Sequence, residues 1–456
     1  MHIKKISIKS IQKNHLKFSE NLISVNGWIK SIRNGKENSF IVLNDGSCFE
    51  SLQVFFSSEF KQKELLKTLN FGSSIEIEGI LKSTPERSQK FELKAEKINN
   101  FNLTSKEYPI QKKNLPITFI REYPQFRSRT NYFLAMFKLR SEVSKLINNY
   151  FSQNNFWYIN TPIITNNDAE GGGESFSIEN QKENEQFFSK KANLTVSGQL
   201  HAESLAQGLG KVYNFSPCFR AENSNTTRHL SEFWMIEAEA SFFDLKQIID
   251  TAEKLIKYVI SGVLKNSKSE IKYFQEYNGK MIESELESIL KKKFPRVTYK
   301  KSIEILKEKN QKDPNFFEFN EIFWGMDLNS EHEKYLCEHF DSPIFVINYP
   351  VELKAFYMKE NSDKKTVSCM DLLFPKIGEM IGGSAREEKY EILKLKSEKL
   401  GLENENLNWY LELRKNGYAP SAGFGLGLER LLMFLSKSDN IKDTIAFPRF
   451  PNSLNF

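Results

Sequence analysis

Two arginines, a histidine and two carboxylates crowd one short polar run, Phe219-Arg220-Ala221-Glu222-Asn223-Ser224-Asn225-Thr226-Thr227-Arg228-His229-Leu230-Ser231-Glu232-Phe233. Apolar segments flank it, Val212 to Phe219 before and Phe233 to Ile236 after. A loop rich in Asn, Ser and Thr leaves backbone N–H groups free, and the planar fork of arginine meets phosphate or carboxylate oxygens two at a time. The grouping suits a triphosphate better than a core. A solvated surface loop has the same composition, so this stretch alone leaves both readings open.

Three other stretches carry groups of the same kind. Cys369 to Phe374 leads into Gly378-Glu379-Met380-Ile381-Gly382-Gly383-Ser384-Ala385-Arg386-Glu387-Glu388. There Asp371 and Glu379 are carboxylates that could hold Mg²⁺, the glycines allow close approach, and Arg386 adds a cation. Asp168-Ala169-Glu170-Gly171-Gly172-Gly173-Glu174 reads as a mobile loop over a site or as a bare surface turn. Near the end, Gly423-Phe424-Gly425-Leu426-Gly427 opens a helix through Glu429 and Arg430, a pattern that phosphate sites share with ordinary helix starts.

Elements able to position these groups can be followed along the chain. Between residues 20 and 100, Ile23, Val25, Gly27 and Ile29 alternate with Ser24, Asn26, Trp28 and Lys30. Strand-like runs follow at Phe40–Leu43, Leu52–Phe56, Ile75–Ile80 and Phe91–Ala95, with the turn Asn44-Asp45-Gly46 and a helical interruption at Phe60–Leu69. Five short strands with one helix predict a small barrel of the OB type. Such barrels bind single-stranded nucleic acid on aromatic platforms, and Arg33, Phe40 and Gln53 are the groups here that could stack on and hydrogen-bond bases. An inward-facing core phenylalanine is the commoner case for a residue such as Phe40.

Residues 102–118, with Pro109, Lys112, Lys113 and Pro116, have no apolar period and predict a linker. Val143, Leu146, Ile147, Tyr150 and Phe151 then recur at helical spacing, and Trp157 to Ile164 predicts an extended strand around Pro162. Leu245, Ile248, Ile249, Ala252, Leu255, Ile256, Val259 and Ile260 mark the buried face of a helix. Residues 265–340 are lysine-rich and mostly helical in pattern, most simply a solvated face. Strands are predicted again at Ile344–Ile347, Ala355–Met358 and Cys369–Phe374.

The whole chain has room for these parts. At 456 residues with 39% hydrophobic content it should hold two or more domains and needs no disulfide staples. Cys48, Cys218, Cys337 and Cys369 are scattered, which argues against a zinc knuckle or a secreted framework and fits a reducing cytoplasm. The start, Met1 to Lys9, has charge without a following apolar run, so neither a signal peptide nor a membrane span is expected. A net charge of +6 permits a polyanionic partner without demanding one, and heavy use of Lys, Asn, Ile and Phe matches an AT-rich genome.

Three segments together are specific where each alone is not. The apolar helix ending at the Pro162 strand resembles motif 1 of class II aminoacyl-tRNA synthetases, Phe219–Glu222 with Arg228–Phe233 resembles motif 2, and Gly423–Arg430 resembles motif 3. With an N-terminal barrel the chain is similar to the aspartyl, asparaginyl and lysyl subgroup. Within it, the wording of motif 2 through Glu237, of Ser197-Gly198-Gln199-Leu200, of Ile381 to Glu388 and of Ala446-Phe447-Pro448-Arg449 resembles the asparaginyl enzymes. The resemblance implies a multidomain α+β protein: an N-terminal OB-type β-barrel plus a class II synthetase catalytic domain built on an antiparallel β-sheet flanked by helices. It places an anticodon-binding domain at 1–101, the linker at 102–118 and the catalytic domain at 119–456, with 265–340 as a helical insertion between motifs 2 and 3.

The implied activity is ligation of L-asparagine to tRNA(Asn) at the expense of ATP, with Mg²⁺, by a cytoplasmic homodimer joined around 137–164. The implied roles follow the matched positions. Arg220 bridges the substrate carboxylate and the α-phosphate; Glu222 holds the adenine amino group; Phe233 and Arg430 sandwich the ring. Arg228 and His229 bind outer phosphates, Gly427 opens the motif 3 helix, and Glu379 with Asp371 holds Mg²⁺. Glu170, Ser197, Gln199 and Glu237 receive the amino acid, and Arg33, Phe40 and Gln53 read the anticodon. Where aspartyl enzymes carry a lysine this chain has Ala202 followed by Glu203; losing that cation suits a neutral amide, with Arg386 as donor to its carbonyl and Glu203 as a candidate acceptor. The rivals are an aspartyl enzyme that charges both tRNAs and a non-catalytic RNA-binding paralogue.

Overall fold

The computed structural model describes residues 3–86, 89–111, 115–167, 175–178, 187–399, 401 and 406–454. Glu170 and its glycine loop, and Lys112 and Lys113, lie outside the described residues. Contacts divide the chain into two units, 1–139 with 272–274, and 140–271 with 275–456. The division falls inside a long helix rather than in the expected linker at 102–118.

In the first unit, β1 (Leu22–Asn34), β2 (Ser39–Asn44), β3 (Leu52–Phe56), β4 (Ser74–Ser83) and β5 (Phe91–Asn102) close a barrel in the order β1-β2-β3-β5-β4. Period-2 alternation makes it: Ile41, Leu43, Val54, Phe56, Ile77 and Leu93 point inward and are essentially inaccessible. A helix that the alternation gives no hint of, α1 (Ile8–Phe18), is capped by Ser7 and sends Ile8 and Ile11 into the same core. Asp45, in the turn after β2, accepts the Ile8 N–H at 2.9 Å and fixes where that helix starts.

The second unit is built on an eight-stranded sheet. The helix α2 (Asn131–Gln153) leads into β6 (Trp157–Tyr158), and α3 (Gln199–Leu209) into the hairpin β7 (Lys211–Phe219) and β8 (Glu232–Ser241). After α4 (Leu245–Asn266) come β9 (Arg296–Thr298), β10 (Ile344–Ile347), β11 (Cys369–Phe374), β12 (Gly378–Ala385), β13 (Ser421–Gly427) and α5 (Leu428–Ser436). The order is β9-β10-β11-β12-β13-β8-β7-β6. Its six central strands are antiparallel, as expected, while β9 on β10 and β6 on β7 are parallel, so the sheet as a whole is mixed. Helix α4 starts with a capping box of Asp244 and Gln247 and packs closely on α2, where a side chain at Gly262 would collide with Leu146.

Three expectations about elements are corrected. The single strand around Pro162 is two strands in different sheets, β6 and Ile164–Thr165, because proline has no N–H for a ladder and the chain leaves the sheet there. Ala355–Met358 is a turn after the 3₁₀ segment Val351–Leu353; its apolar pattern reflects Phe356 and Tyr357 packing on Tyr410. Residues 265–340 are mostly helical, with β9 as one sheet edge, but they are not simply a solvated face, since Leu306, Phe317 and Leu336 form a core with β10 and β11. Among the described residues no helix is long and apolar enough to cross a membrane.

Candidate active site

The β7–β8 hairpin carries the opening polar run as its loop. Register Phe219↔Glu232 and the Arg220 N–H to Ser231 carbonyl bond at 3.0 Å close its neck, and Ser231 N–H to the Arg449 carbonyl at 2.8 Å ties it to the C-terminal segment. Pairing of β8 with β13 puts Met235 opposite Gly427, so motifs 2 and 3 become neighbours by strand register. Glu429 is buried and accepts from Arg140 Nη1 at 2.7 Å and from the Trp234 N–H at 3.0 Å, locking α2, β8 and α5 to one another. It is therefore not helix surface.

Arg220, Glu222, Arg228, His229, Phe233, Glu379, Gly427 and Arg430 line one cleft of about 770 Å³, open mouth included. All eight sequence-assigned nucleotide groups thus converge. The Arg220 guanidinium lies 5.4 Å from the centre of the Phe233 ring. Arg228 is pinned by Ser330 Oγ and the Lys376 carbonyl, each at 3.0 Å, and Arg430 donates to the Glu379 carbonyl. Burial, together with the nearby Arg430, lowers the His229 pKa, which keeps the ring neutral at pH 7; its Nδ1 lies 2.6 Å from Thr226 Oγ1.

A β-bulge sets the second wall. Asp371 pairs with Gly382 and Leu372 with Ile381, but Leu373 pairs with Glu379, so Met380 is skipped. The skip puts Glu379 on the same face as Asp371. Gly382 leaves the space between them open: a Cβ there would lie 2.7 Å from Glu379 Oε1 and 3.7 Å from Asp371 Oδ1. Among the described residues no three acidic, His or Cys side chains enclose a metal ion by themselves. Two carboxylates, with nucleotide phosphates and water completing the octahedron, are the donor set Mg²⁺ ordinarily takes, and this pair fits it. One expectation for Asp371 is revised: its Oδ2 is held by Lys354 Nζ at 2.5 Å, leaving Oδ1 toward Glu379.

The amino-acid end is a buried charge network. Ser197 Oγ donates to Glu237, whose oxygens also accept from the Gly198 N–H at 3.0 Å and Asn214 Nδ2 at 2.8 Å. With three donors on it, Glu237 also holds Ser197 and Gly198 in place at the amino-acid end. Glu203 lies in a second such network. Fully buried, it accepts from Tyr410 at 2.7 Å, Arg414 Nη2 at 2.9 Å, Gln199 Nε2 at 3.0 Å and Tyr418 at 3.3 Å, and lies 3.6 Å from Arg386 Nε. Oε2 takes three of these donors, while Oε1 takes Gln199 alone and faces the Arg386 cation. Burial works against its charge, but Arg414 and Arg386 outweigh it and hold its pKa below the usual carboxylate value.

Arg386 forks onto Glu239 through Nε and Nη2 and gives Nη1 to Ser384 Oγ at 2.8 Å. Three of its five N–H groups are used, and one remains on each Nη. Burial, with Glu203 and Glu237 near, pushes Glu239 up to about 8 against the pull of Arg386. Glu239, Arg414 and Lys354 were not among the residues singled out from the sequence. For Glu239 a signal exists: it stands two residues after Glu237 on β8, hence on the same sheet face. Arg414 and Lys354 have no such mark.

On the barrel, β1–β2 register puts Arg33 opposite Phe40, and β2–β3 register puts Phe40 opposite Phe55, their rings 5.3 Å apart. Phe40 is half-buried on the outer face, not core, because the inward place belongs to Ile41. Gln53 shares that face two residues from Phe55 and donates to Glu92 at 3.2 Å.

The comparisons agree with this geometry. A family model described as tRNA synthetases class II (D, K and N) matches residues 116–451, and one described as an OB-fold nucleic acid binding domain matches 23–101. An asparagine–tRNA ligase of Malacoplasma penetrans is 45% identical over 453 residues, 99% of each chain, and one of Clostridium kluyveri is 44% identical over 469, all of each chain. The structure of asparaginyl-tRNA synthetase from Pyrococcus horikoshii complexed with asparaginyl-adenylate superposes with a TM-score of 0.89 at 30% identity, covering 99% of this chain and all of that one. By full-length likeness, by the convergence of motifs 2 and 3 on one cleft and by its barrel, the chain belongs to the class II tRNA synthetases of the D, K and N group.

Proposed function

We propose that the chain activates L-asparagine with ATP and transfers it to tRNA(Asn). The observation that carries this is the cleft in which motif 2, motif 3 and Glu379 meet. The asparagine carboxylate attacks the α-phosphorus, the bond to the β-phosphate oxygen breaks, and pyrophosphate leaves. A 3′-terminal ribose hydroxyl of tRNA then attacks the adenylate carbonyl and AMP departs.

A carboxylate is already ionised at pH 7, so the first step rests on positioning and charge stabilisation. Arg220 bridges carboxylate and α-phosphate; Glu222 accepts from the adenine amino group, Phe233 stacks on the ring, and Arg430 covers its other side. Arg228 and neutral His229 hold the outer phosphates, and Gly427 lets α5 approach them. Asp371 Oδ1 and Glu379 hold Mg²⁺, which when bound offsets phosphate charge. Ser197, Gln199 and Glu170 receive the amino acid, and the free N–H groups of Arg386 donate to its side-chain carbonyl.

Residues 1–101 bind the anticodon through Arg33, Phe40 and Gln53, 102–118 link, and 119–456 catalyse. The exposed Trp157, Tyr158, Ile163 and Ile164 favour a homodimer around 137–164, and four free thiols favour the cytoplasm. Pyrophosphate exchange tests the assignment: it should depend on asparagine, not aspartate, and Arg220→Ala should lose about 3–4 kcal/mol of transition-state stabilisation. Exchange driven equally by aspartate, or near-normal exchange in Arg220→Ala, would refute it.

A further inference from the structure

Lys354 leaves the 3₁₀ turn Val351–Leu353 and runs inward, its ammonium 4.0 Å from the centre of the Tyr349 ring and 2.5 Å from Asp371 Oδ2. Its side chain is 17% exposed and that of Asp371 10%, so neither end can swing into solvent without unpacking. The other oxygen, Oδ1, is the one nearer the space at Gly382 that Glu379 also borders. The Tyr349 side chain also hydrogen-bonds Asp371; Lys354 fixes Oδ2, and Oδ1 borders the space shared with Glu379.

We propose that Lys354 is a positioning residue for the divalent-cation site: by holding Oδ2 it presents Oδ1 of Asp371, with Glu379, to the metal that enters with ATP. This rests on the reading of Asp371 and Glu379 as the metal-holding pair. An untethered aspartate can rotate and offer either oxygen, or both. Tethered at Oδ2 it offers one, which suits a small cation that demands near-octahedral geometry at short distance. Partners that orient a metal ligand from behind commonly set metal affinity as strongly as the ligand does. The contrary possibility, that the ammonium competes with the metal for Asp371, gives the opposite sign on removal.

The test uses the full chain with Mn²⁺ and α,β-methylene-ATP, whose α–β bridge cannot be cleaved, and free Mn²⁺ read by electron paramagnetic resonance. Lys354→Met should weaken Mn²⁺ binding by about 10-fold or more, with Lys354→Gln moving the same way. Lys354→Arg, which keeps the cation, should recover most of the affinity. The melting temperature of Lys354→Met should fall, because Asp371 is left unpaired, while unfolding stays cooperative and affinity for the nucleotide in EDTA moves little, as a general unfolding would not allow. Mn²⁺ binding in Lys354→Met, or in Lys354→Gln should the first not fold, that equals or exceeds wild type overturns the inference. Glu379→Gln separates the two failures: if it too binds Mn²⁺ normally, the metal reading itself is wrong; if it alone weakens binding, only the role of Lys354 is.

Discussion

Glu203 shows how a residue's chemistry is decided by what reaches it. Its sequence neighbourhood, a helix beside the amino-acid site, makes it a natural acceptor for a substrate amide. In the fold its oxygens accept from Arg414, Tyr410, Tyr418 and Gln199, the first three brought from more than 200 positions away. Those partners could not be inferred from local spacing, whereas Arg220, Glu222, Arg228 and His229 were legible because one loop carries them all. Removing one partner of a buried pair leaves an uncompensated charge, which typically costs about 3–5 kcal/mol. Glu203→Gln should therefore reduce the unfolding free energy of the catalytic unit by an amount of that order, read as a lower unfolding midpoint, and raise the KM for asparagine through a displaced Arg386 while leaving ATP affinity near wild type. A variant with an unchanged midpoint would mean the network contributes nothing to stability; one with equal losses for both substrates would mean general damage.

At the level of elements, alternation was enough to draw the barrel strands, because each has one wet and one dry face. The same rule decides Phe40 against Ile41. Adjacent residues on β2 face opposite ways, so truncating them should produce different phenotypes. Phe40→Ala should cut aminoacylation, through a lost base-stacking surface worth about 1–3 kcal/mol, and spare pyrophosphate exchange. Ile41→Ala should cost about 2–5 kcal/mol of barrel stability by leaving a cavity. Comparable loss of exchange in Phe40→Ala would count against an anticodon role for that face. What alternation could not give is the skipped Met380, since a bulge has no compositional signature in an apolar strand; yet it brings Glu379 to the face of Asp371. Pro162 was read as lying within a strand, and the missing N–H instead divides that strand between two sheets.

For the whole molecule, the order of the three motifs specifies the catalytic sheet, and the two family models match 23–101 and 116–451, while the contacts divide the chain within α2. The barrel's own core is self-contained: each buried member of its cluster lies between Ile6 and Ile98, contributed by Ile6, α1, the five strands and the segment between β3 and β4 with its short helix Lys63–Thr68. A fragment of that size can bury enough apolar surface to fold without staples. Residues 1–111 should accordingly fold alone, giving a dispersed amide spectrum. Their stability should be reduced, because Tyr108 packs between Phe71 and Phe126 and the fragment removes Phe126. The closed ladder leaves no open strand edge to drive association, so the fragment should also stay monomeric. Since Arg33, Phe40 and Gln53 all belong to it, the fragment should bind an anticodon stem-loop RNA, and Phe40→Ala within it should weaken that binding about as much as in the full chain. A collapsed spectrum would show that the barrel depends on residues 115–139 to fold. A dispersed spectrum without RNA binding, at salt where the full chain binds, would move the anticodon surface off this face.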